Sequence, residues 1–157
     1  MKLNLMFCSG VPLAGYLNLC PFVAQNVENV VNCDIRNLDQ ICENAEVTEL
    51  IAHNVLEYIS PNELDSVFNN WVLKLRHKGI IKLAVLDAEQ VCHRFLSKKM
   101  ELNQFNSIVF GEQRSPFELR RNVLTPTALC QKMQSLGLKI VSKQLQDVVF
   151  LVEGERS

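Results

Sequence analysis

The run GIIKLAVL at residues 79–86 constrains the fold more than any other part of the sequence. Lys82 is its only charged residue, and the remainder is apolar, β-branched or glycine. Nearly unbroken apolar runs of this length are typical of central strands that are covered on both faces. Strands of this kind occur in parallel sheets, whose neighbours are joined by helical crossovers. The run therefore predicts an α/β domain with residues 79–86 near the centre of its sheet.

Shorter apolar segments, each bounded by turn-forming residues, predict six further strands. They are residues 2–8, 16–19, 29–33, 47–52, 139–142 and 148–152. We expect the last of these to be the antiparallel member of an otherwise parallel sheet.

Three amphipathic helices are predicted between the strands. Ser60 and Glu63 have the spacing of a capping box, with Pro61 at the first helical position. An apolar stripe with helical spacing follows this start and is formed by Leu64, Val67, Phe68, Trp71 and Leu75. A second helix is predicted from Asp87 to about residue 96, and a third from Thr125 to Gly137. A short fourth helix is predicted at residues 38–42.

Strands followed by helices imply right-handed parallel crossovers and hence a three-layer α/β sandwich. The length of 157 residues is that of one domain, so we expect a single domain over residues 1–157. In such sheets ligands bind beyond the carboxyl ends of the strands. The residues that directly follow each predicted strand are therefore the candidates for a site.

Composition argues against several classes of partner. A formal net charge of -1 offers no basic field for a nucleic acid. No apolar run approaches the ~20 residues of a membrane span, and the N-terminus lacks the apolar stretch of a signal peptide. The six cysteines form no CxxC pair, so we expect free thiols in a reducing, cytoplasmic compartment.

Residues 97–122 have weak periodicity and predict a loop over the site, with a short strand at residues 107–110. The segment contains three phenylalanines and three arginines, a combination that is enriched at protein interfaces. These are Phe105, Phe110, Phe117, Arg114, Arg120 and Arg121. We expect this surface to bind a protein partner or a second copy of the chain. The alternative is that the three rings pack onto the sheet, and that the arginines, with Lys98 and Lys99, form a solvated face.

Other chemistries are also open at the ends of the strands. Cys8, Cys20 and Cys33 each close a predicted strand and could bind zinc with His53, although no short chelating pair supports a metal. The alternative is that these cysteines are small apolar side chains that fill space. A hydrolase is a further alternative, but Ser9-Gly10 lacks the nucleophile-elbow pattern. The neighbours Cys92 and His93 do not face each other on a helix.

Five segments, taken in order, resemble the class I S-adenosylmethionine-dependent methyltransferases, in particular the short type found in bacterial and phage genomes. The matching segments are Leu3-Asn4-Leu5 with Cys8, Gly15-Tyr16, Cys33-Asp34-Ile35-Arg36-Asn37-Leu38, His53-Asn54-Val55-Leu56-Glu57-Tyr58, and Gly79 to Asp87. The resemblance extends from Lys2 to about Gly154. It implies a Rossmann-like methyltransferase sheet with an antiparallel C-terminal strand.

The resemblance also implies which positions would contact S-adenosylmethionine. These family positions are Met6, Cys8, Gly10, Cys20, Asp34, His53 and Glu57. The family has glycines in place of Met6 and Cys8, where the backbone approaches the cofactor. It has an acidic residue in place of Cys20, where the ribose hydroxyls bind. No residue is assigned a catalytic role, and no metal is implied.

These replacements predict that the cofactor binds weakly or not at all. The loss of a charged hydrogen bond costs about 1.5–3 kcal/mol, and a clash in a well-packed site costs another ~1–3 kcal/mol. Together they weaken binding by roughly two to four powers of ten. We therefore expect a non-catalytic binding or assembly module, for example within a phage or host complex. An active methyltransferase with an unknown acceptor is the alternative.

Overall fold

A computed structural model describes residues 1–7, 10–23 and 27–157 of the chain. Its centre is a seven-stranded sheet with the strand order β3-β2-β1-β4-β5-β7-β6. The strands are β1 (Lys2–Leu5), β2 (Leu17–Cys20), β3 (Val30–Asn32), β4 (Val47–His53), β5 (Leu75–Leu86), β6 (Leu138–Gln146) and β7 (Val149–Arg156). All seven predicted strands are confirmed, and β5 begins four residues earlier than predicted.

The first five strands pair with one another in parallel. Only β7 runs against this direction, because it pairs antiparallel with both β5 and β6. The predicted mostly parallel sheet with an antiparallel C-terminal strand is therefore confirmed.

Four α-helices flank the sheet: α1 (Pro61–Lys74), α2 (Ala88–Leu96), α3 (Leu102–Phe110) and α4 (Pro126–Ser135). A single 3-10 turn, Leu56–Tyr58, follows β4. The predicted helices α1, α2 and α4 are confirmed. Asp87 caps α2 by accepting from the N–H groups of Glu89 and Gln90, and Thr125 caps α4 by accepting from Ala128. Within the described part of the chain, no helix is long and apolar enough to cross a membrane.

Three local predictions are wrong. Residues 38–42 form a turn and not a helix: the Leu38 carbonyl accepts from the N–H groups of both Ile41 and Cys42, and this single turn is not continued into a helix. Residues 107–110 lie in α3 and not in a strand, since the Gln104 side chain accepts from the Glu101 N–H and starts a helix there. Finally, the Ser60 side chain makes no capping hydrogen bond.

Helices α1 and α4 cover one face of the sheet and form the main core. Trp71 and Phe68 of α1 are fully buried, as is Met133 of α4. A smaller cluster lies on the opposite face, where α2 and α3 pack against Leu86 and Val148. The sheet thus has helices on both sides, which confirms the predicted three-layer sandwich.

A row of ion pairs, formed by Lys2, Glu49 and Lys82, lies in the middle of the sheet face that carries α2 and α3. The Glu49 carboxylate on β4 lies 3.0 Å from the Lys2 amine on β1 and 2.7 Å from the Lys82 amine on β5. The hydrogen bond from Lys82 and the other groups around the carboxylate lower the pKa of Glu49 to about 2. In the described ranges the connections between β1 and β4 contain turns but no helix. This charged row therefore faces outward where a helix is absent.

Candidate functional site

The crevice of this sheet lies between the carboxyl ends of β1 and β4. These two strands are neighbours in the sheet. After β1 the chain continues outward through β2 to the edge strand β3, and it then returns to the other side of β1 as β4. The point at which the strand order reverses is where open α/β sheets bind their ligands. The residues that follow the two strands, Met6 and Phe7 after β1 and Asn54 to Tyr58 after β4, therefore line the crevice.

Aromatic rings fill this crevice. Phe7 stacks on Tyr58, with ring centroids 4.6 Å apart and planes at 15°. The edge of Phe22 meets Phe7 at 5.1 Å, and Phe117 stacks on Phe22 at 3.9 Å. The guanidinium of Arg120 lies 6.0 Å from the centre of the Tyr58 ring. We call Tyr58, Phe7, Phe22 and Phe117 the ring stack.

A cavity of about 300 Å³ remains beside the ring stack. Its lining combines residues of the ring stack with polar and charged side chains from the end of β3, from the segment that follows it and from α1. The lining residues are Phe7, Pro21, Phe22, Asn32, Cys33, Asp34, Ile35, Arg36, Tyr58, Ile59, Glu63 and Arg121. This volume is at the lower end of the ~300–1,000 Å³ that is usual for small-molecule pockets.

Met6 and Gly10 pack against each other in the loop after β1. Met6 is 7% exposed, and a Cβ placed on Gly10 would lie 3.0 Å from its Cγ atom. Gly10 has a φ of +145°, which favours glycine. The Met6 thioether therefore occupies the space beneath Gly10. Cys8, the other predicted contact in this loop, lies outside the described residues, as does Ser9.

Cys20 and Cys33 lie on adjacent chain segments at the same edge. The N–H of Cys33 donates to the carbonyl of Cys20 at 3.2 Å, and Cys20 is buried. Burial raises the pKa of the Cys33 thiol, which favours the neutral form. All five described cysteines are free thiols. No group of three or more metal-ligating side chains is found among the described residues.

Asp34 is held by ion pairs at the mouth of the cavity. Its two carboxylate oxygens accept from the Arg36 side chain at 2.8–3.1 Å, and one of them also accepts from the Arg36 N–H. Arg36 reaches onward to Glu63 at 3.0 Å. The hydrogen bonds from Arg36 lower the pKa of Asp34. Asp34 thus stabilises its own turn, and its acceptor oxygens are already used.

Helix α1 fixes the position of this turn. The indole N–H of Trp71 donates to the carbonyl of Ile35 at 2.7 Å, and Asn70 accepts from the N–H of Leu38 at 2.9 Å. Both bonds attach the segment after β3 to a helix in the core. The position of Asp34 and Arg36 is therefore set by the buried stripe of α1.

His53 and Glu57 have different environments, although they are only four residues apart at the end of β4 and in the turn that follows it. His53 ends β4 at the surface, and desolvation by the neighbouring protein lowers its pKa. Glu57 is 0% exposed, and one of its carboxylate oxygens accepts from the Leu86 N–H at 2.7 Å. Burial raises the pKa of Glu57, against the opposing effects of that hydrogen bond and of the Arg120 charge.

Residues 111–122, which we call the strap, close the crevice from above. The carbonyl of Glu57 accepts from the N–H groups of Arg121 at 2.7 Å and Asn122 at 3.2 Å. The Asn122 amide donates to the carbonyls of Leu56 and Ile59 at 2.8 and 2.5 Å. The strap tip contributes Phe117 to the ring stack. The predicted loop over the site is confirmed for these residues.

The other phenylalanines of the predicted interface segment differ in burial. Phe105 packs on Phe95 of α2, with ring centroids 4.5 Å apart. Phe110 is 49% exposed and Phe117 is 48% exposed, despite its stacking. Cys92 and His93 are both exposed on α2.

Sequence reasoning missed the residues that fill the crevice. Phe7 lies between two positions that the family reserves for glycine, and Phe22 follows Pro21 after β2. The signal was that Phe7 and Tyr58 each replace a family residue after strands that are neighbours in the sheet. Two large rings at adjacent carboxyl ends predict a contact between them.

Comparisons with known proteins concern the fold alone. A scan of protein-family models finds no match to the sequence, and a search of curated proteins finds none either. Solved structures do match. A SAM-dependent methyltransferase from Methanosarcina mazei is 12% identical with a TM-score of 0.67, and the match covers 99% of this chain and 92% of that one.

Two further structures agree with this match. A protein from Pyrococcus horikoshii is 15% identical with a TM-score of 0.66, over 99% of this chain and 81% of that one. The 1,6-didemethyltoxoflavin-N1-methyltransferase of Burkholderia thailandensis was solved with bound S-adenosylhomocysteine. It is 11% identical with a TM-score of 0.59, and the match covers 91% of this chain and 62% of that one. The chain spans only 35% and 43% of two other matched structures. The chain therefore has the fold of the S-adenosylmethionine-dependent class I methyltransferases.

Proposed function

We propose that this chain is a methyltransferase-like domain that does not transfer methyl groups and acts as a binding or assembly module. The observation that carries the proposal is the Phe7–Tyr58 stack in the crevice between β1 and β4. Side chains of the protein occupy the place where the fold usually receives its ligand. We place its action in a reducing compartment, in a complex of phage or host proteins.

The cost of opening the crevice supports this proposal. A cofactor there must separate Phe7 from Tyr58 and Phe22, and each aromatic pair contributes about 0.5–1.5 kcal/mol beyond its buried area. The buried Met6 side chain would also have to leave the space beneath Gly10. The two aromatic pairs alone amount to about 1–3 kcal/mol, which weakens cofactor binding by up to about two powers of ten, since each 1.4 kcal/mol is tenfold.

The acidic groups do not compensate for this cost. Asp34 already accepts several hydrogen bonds from Arg36. Cys20 stands in place of the family's ribose-binding acid, and a thiol is only a weak hydrogen-bonding partner. The two groups that would orient the nucleoside are therefore engaged or replaced.

An active methyltransferase is the second candidate, and the cavity beside the ring stack favours it. This cavity of about 300 Å³ is lined by Asp34, which follows β3 at the position that the family places near adenine. Activity would require Phe7 and Phe22 to move away before the cofactor enters.

Association would use the surface of residues 97–122. Leu102 and Phe110 at the two ends of α3 are 59% and 49% exposed, and Arg114 is exposed beside them. Apolar and arginine side chains together are typical of interface cores. Sedimentation of the chain alone and with extracts of its source would show an assembly that Phe110→Ser abolishes. A strict monomer that no partner binds would contradict the association.

A restored site tests the loss of cofactor binding. The variant Met6→Gly/Phe7→Ala/Cys8→Gly/Cys20→Asp brings back the family's small residues and its acid. We expect S-adenosylhomocysteine to raise the melting temperature of this variant and to leave the unaltered chain unchanged. The matched control carries Phe110→Ala alone. A ligand-induced shift in the unaltered chain would contradict the proposal.

A further inference from the structure

Helix α3 differs from the other three α-helices of the described chain in its composition and burial. None of the nine residues of Leu102–Phe110 is charged, and none of them is buried. The other helices each carry charged residues and bury at least one residue. Surface helices normally present charged residues to solvent, whereas charged residues are depleted at the centre of protein–protein contacts. The composition of α3 is therefore that of a contact helix.

The exposed side of α3 carries a regular ridge. The inner side of the helix packs against the small core cluster on the face of the sheet that carries α2. On the outer side Leu102, Asn106 and Phe110 follow one another at intervals of four residues, which places them in one row. All three are exposed, Leu102 at 59% and Phe110 at 49%. We call these three residues the α3 ridge.

The α3 ridge is complementary to a second copy of itself. When two identical surfaces pack about a two-fold axis, each residue contacts the residue at the same distance on the other side of the axis. An axis at Asn106 brings Leu102 of each copy against Phe110 of the other, so apolar side chains meet at both ends. At the axis the two Asn106 carboxamides face each other, and each offers both donors and an acceptor. The polar centre of the ridge is thus satisfied by its own copy.

The charges beside α3 favour the same antiparallel arrangement. Lys98 and Lys99 precede the helix, are exposed, and form no ion pair among the described residues. After the helix Arg114 pairs with both Glu112 and Glu118. The four residues before the helix are therefore net positive, and the eight residues after it are net negative. Two antiparallel copies place the positive end of one helix beside the negative end of the other, and their helix dipoles also oppose each other.

We propose that α3 is the contact of a homodimer, in which the α3 ridges of two copies pack antiparallel about a two-fold axis at Asn106. The inference rests on the association proposed above and deepens it, because it names a second copy as the partner. A nine-residue helix is about 14 Å long, so this contact is smaller than the ~800 Å² per partner of a standard interface. We therefore expect a dissociation constant in the micromolar range.

Analytical ultracentrifugation of the purified full chain over a micromolar concentration series tests the proposal, with two charge variants at the axis. Asn106→Asp places two carboxylates opposite each other, and Asn106→Lys places two ammonium groups there. Each should raise the dissociation constant at least about tenfold, because like charges at close range repel. Asn106 is exposed on a helix, and neither replacement has a lower helix propensity, so the monomer stays folded. An equimolar mixture of the two variants should associate again, because opposite charges then meet at the axis.

The matched control is Asn69→Asp, which makes the same change at an exposed position of α1 on the opposite face of the sheet. It should leave the dissociation constant unchanged. A chain that is monomeric throughout the series, a dimer that Asn106→Asp does not weaken, or a mixture of the charge variants that stays monomeric would overturn the proposal. A chain that is monomeric alone but binds another protein would overturn this inference and keep the binding module. Tight cofactor binding by a chain that dimerises as described would support the dimer and contradict the proposed function.

Discussion

Replacing Phe7 by alanine perturbs the crevice most directly. A fully buried phenylalanine costs about 3–5 kcal/mol when it is reduced to alanine. Phe7 is only half-buried, but it contacts the rings of both Tyr58 and Phe22. We therefore expect Phe7→Ala to lower the free energy of unfolding by about 2–3 kcal/mol. Urea denaturation measures this as a lower midpoint with an unchanged slope.

The matched control for Phe7→Ala is Phe110→Ala. Phe110 is 49% exposed at the end of α3 and has no ring contact in the described part of the chain. Its replacement should change the free energy of unfolding of the unassembled chain by no more than about 0.5 kcal/mol. If Phe7→Ala were as mild as this control, the ring stack would not fill the crevice, and the argument from occlusion would fail.

Three further predictions concern the frame around the site. The pKa of Glu49 is lowered from 4.5 to about 2 in the folded chain. The ionised carboxylate therefore makes its full contribution to stability above a pH of about 4.5. Because the row lies at the surface, we expect a contribution of about 1–2 kcal/mol, lost as pH falls from about 4.5 toward 2. Unfolding free energies of the unaltered chain and Glu49→Gln should converge over this interval, and a gap independent of pH would refute the assignment. Trp71→Phe removes the bond to the Ile35 carbonyl and should cost about 1–3 kcal/mol by urea denaturation, since a buried acceptor is left unpaired. A cost near zero would show that this bond does not hold the turn. Gly111→Ala would place a Cβ against the carbonyl oxygen of Glu118 at a φ of +84°, so we expect a lower melting temperature and faster hydrogen exchange in the strap. Unchanged strap exchange would contradict the close approach.

The sheet was predictable from sequence because its signals are local. The apolar run at residues 79–86 marks β5, and the apolar stripe with Pro61 at its start marks α1. Asp87 and Thr125 start their helices with side-chain caps that are visible in the sequence. The order of the strands is not local information, so the apolar runs alone do not predict it.

The wrong secondary-structure predictions fall on segments whose local sequence favours no single conformation strongly, so that contacts with distant residues decide the structure. Residues 107–110 are β-branched and aromatic enough to suggest a strand. In the structure Phe105, Ile108 and Val109 pack together against Leu86 with helical spacing. At Ser60 the predicted capping partner Glu63 pairs with Arg36. Arg36 is distant in sequence, so this competition could not be anticipated.

The place of the candidate residues in the fold was predictable, but the packing of side chains around them was not. The candidate residues Met6, Cys20, Asp34 and Glu57 all lie at the carboxyl edge of the sheet. The contact of Phe7 with Tyr58 in the crevice was not predicted, because it becomes visible only once β1 and β4 are known to be neighbours. That outcome depends on Tyr58, which lies 51 residues away in sequence and beside Phe7 only because β1 and β4 are neighbours.

Calorimetry of the unaltered chain with S-adenosylmethionine and with S-adenosylhomocysteine tests the central claim most directly. A crevice closed by Phe7 and Tyr58 predicts no saturable heat at micromolar ligand, because the rings must separate before the cofactor can enter. A dissociation constant in the low micromolar range for either compound would contradict the account and would favour an active methyltransferase.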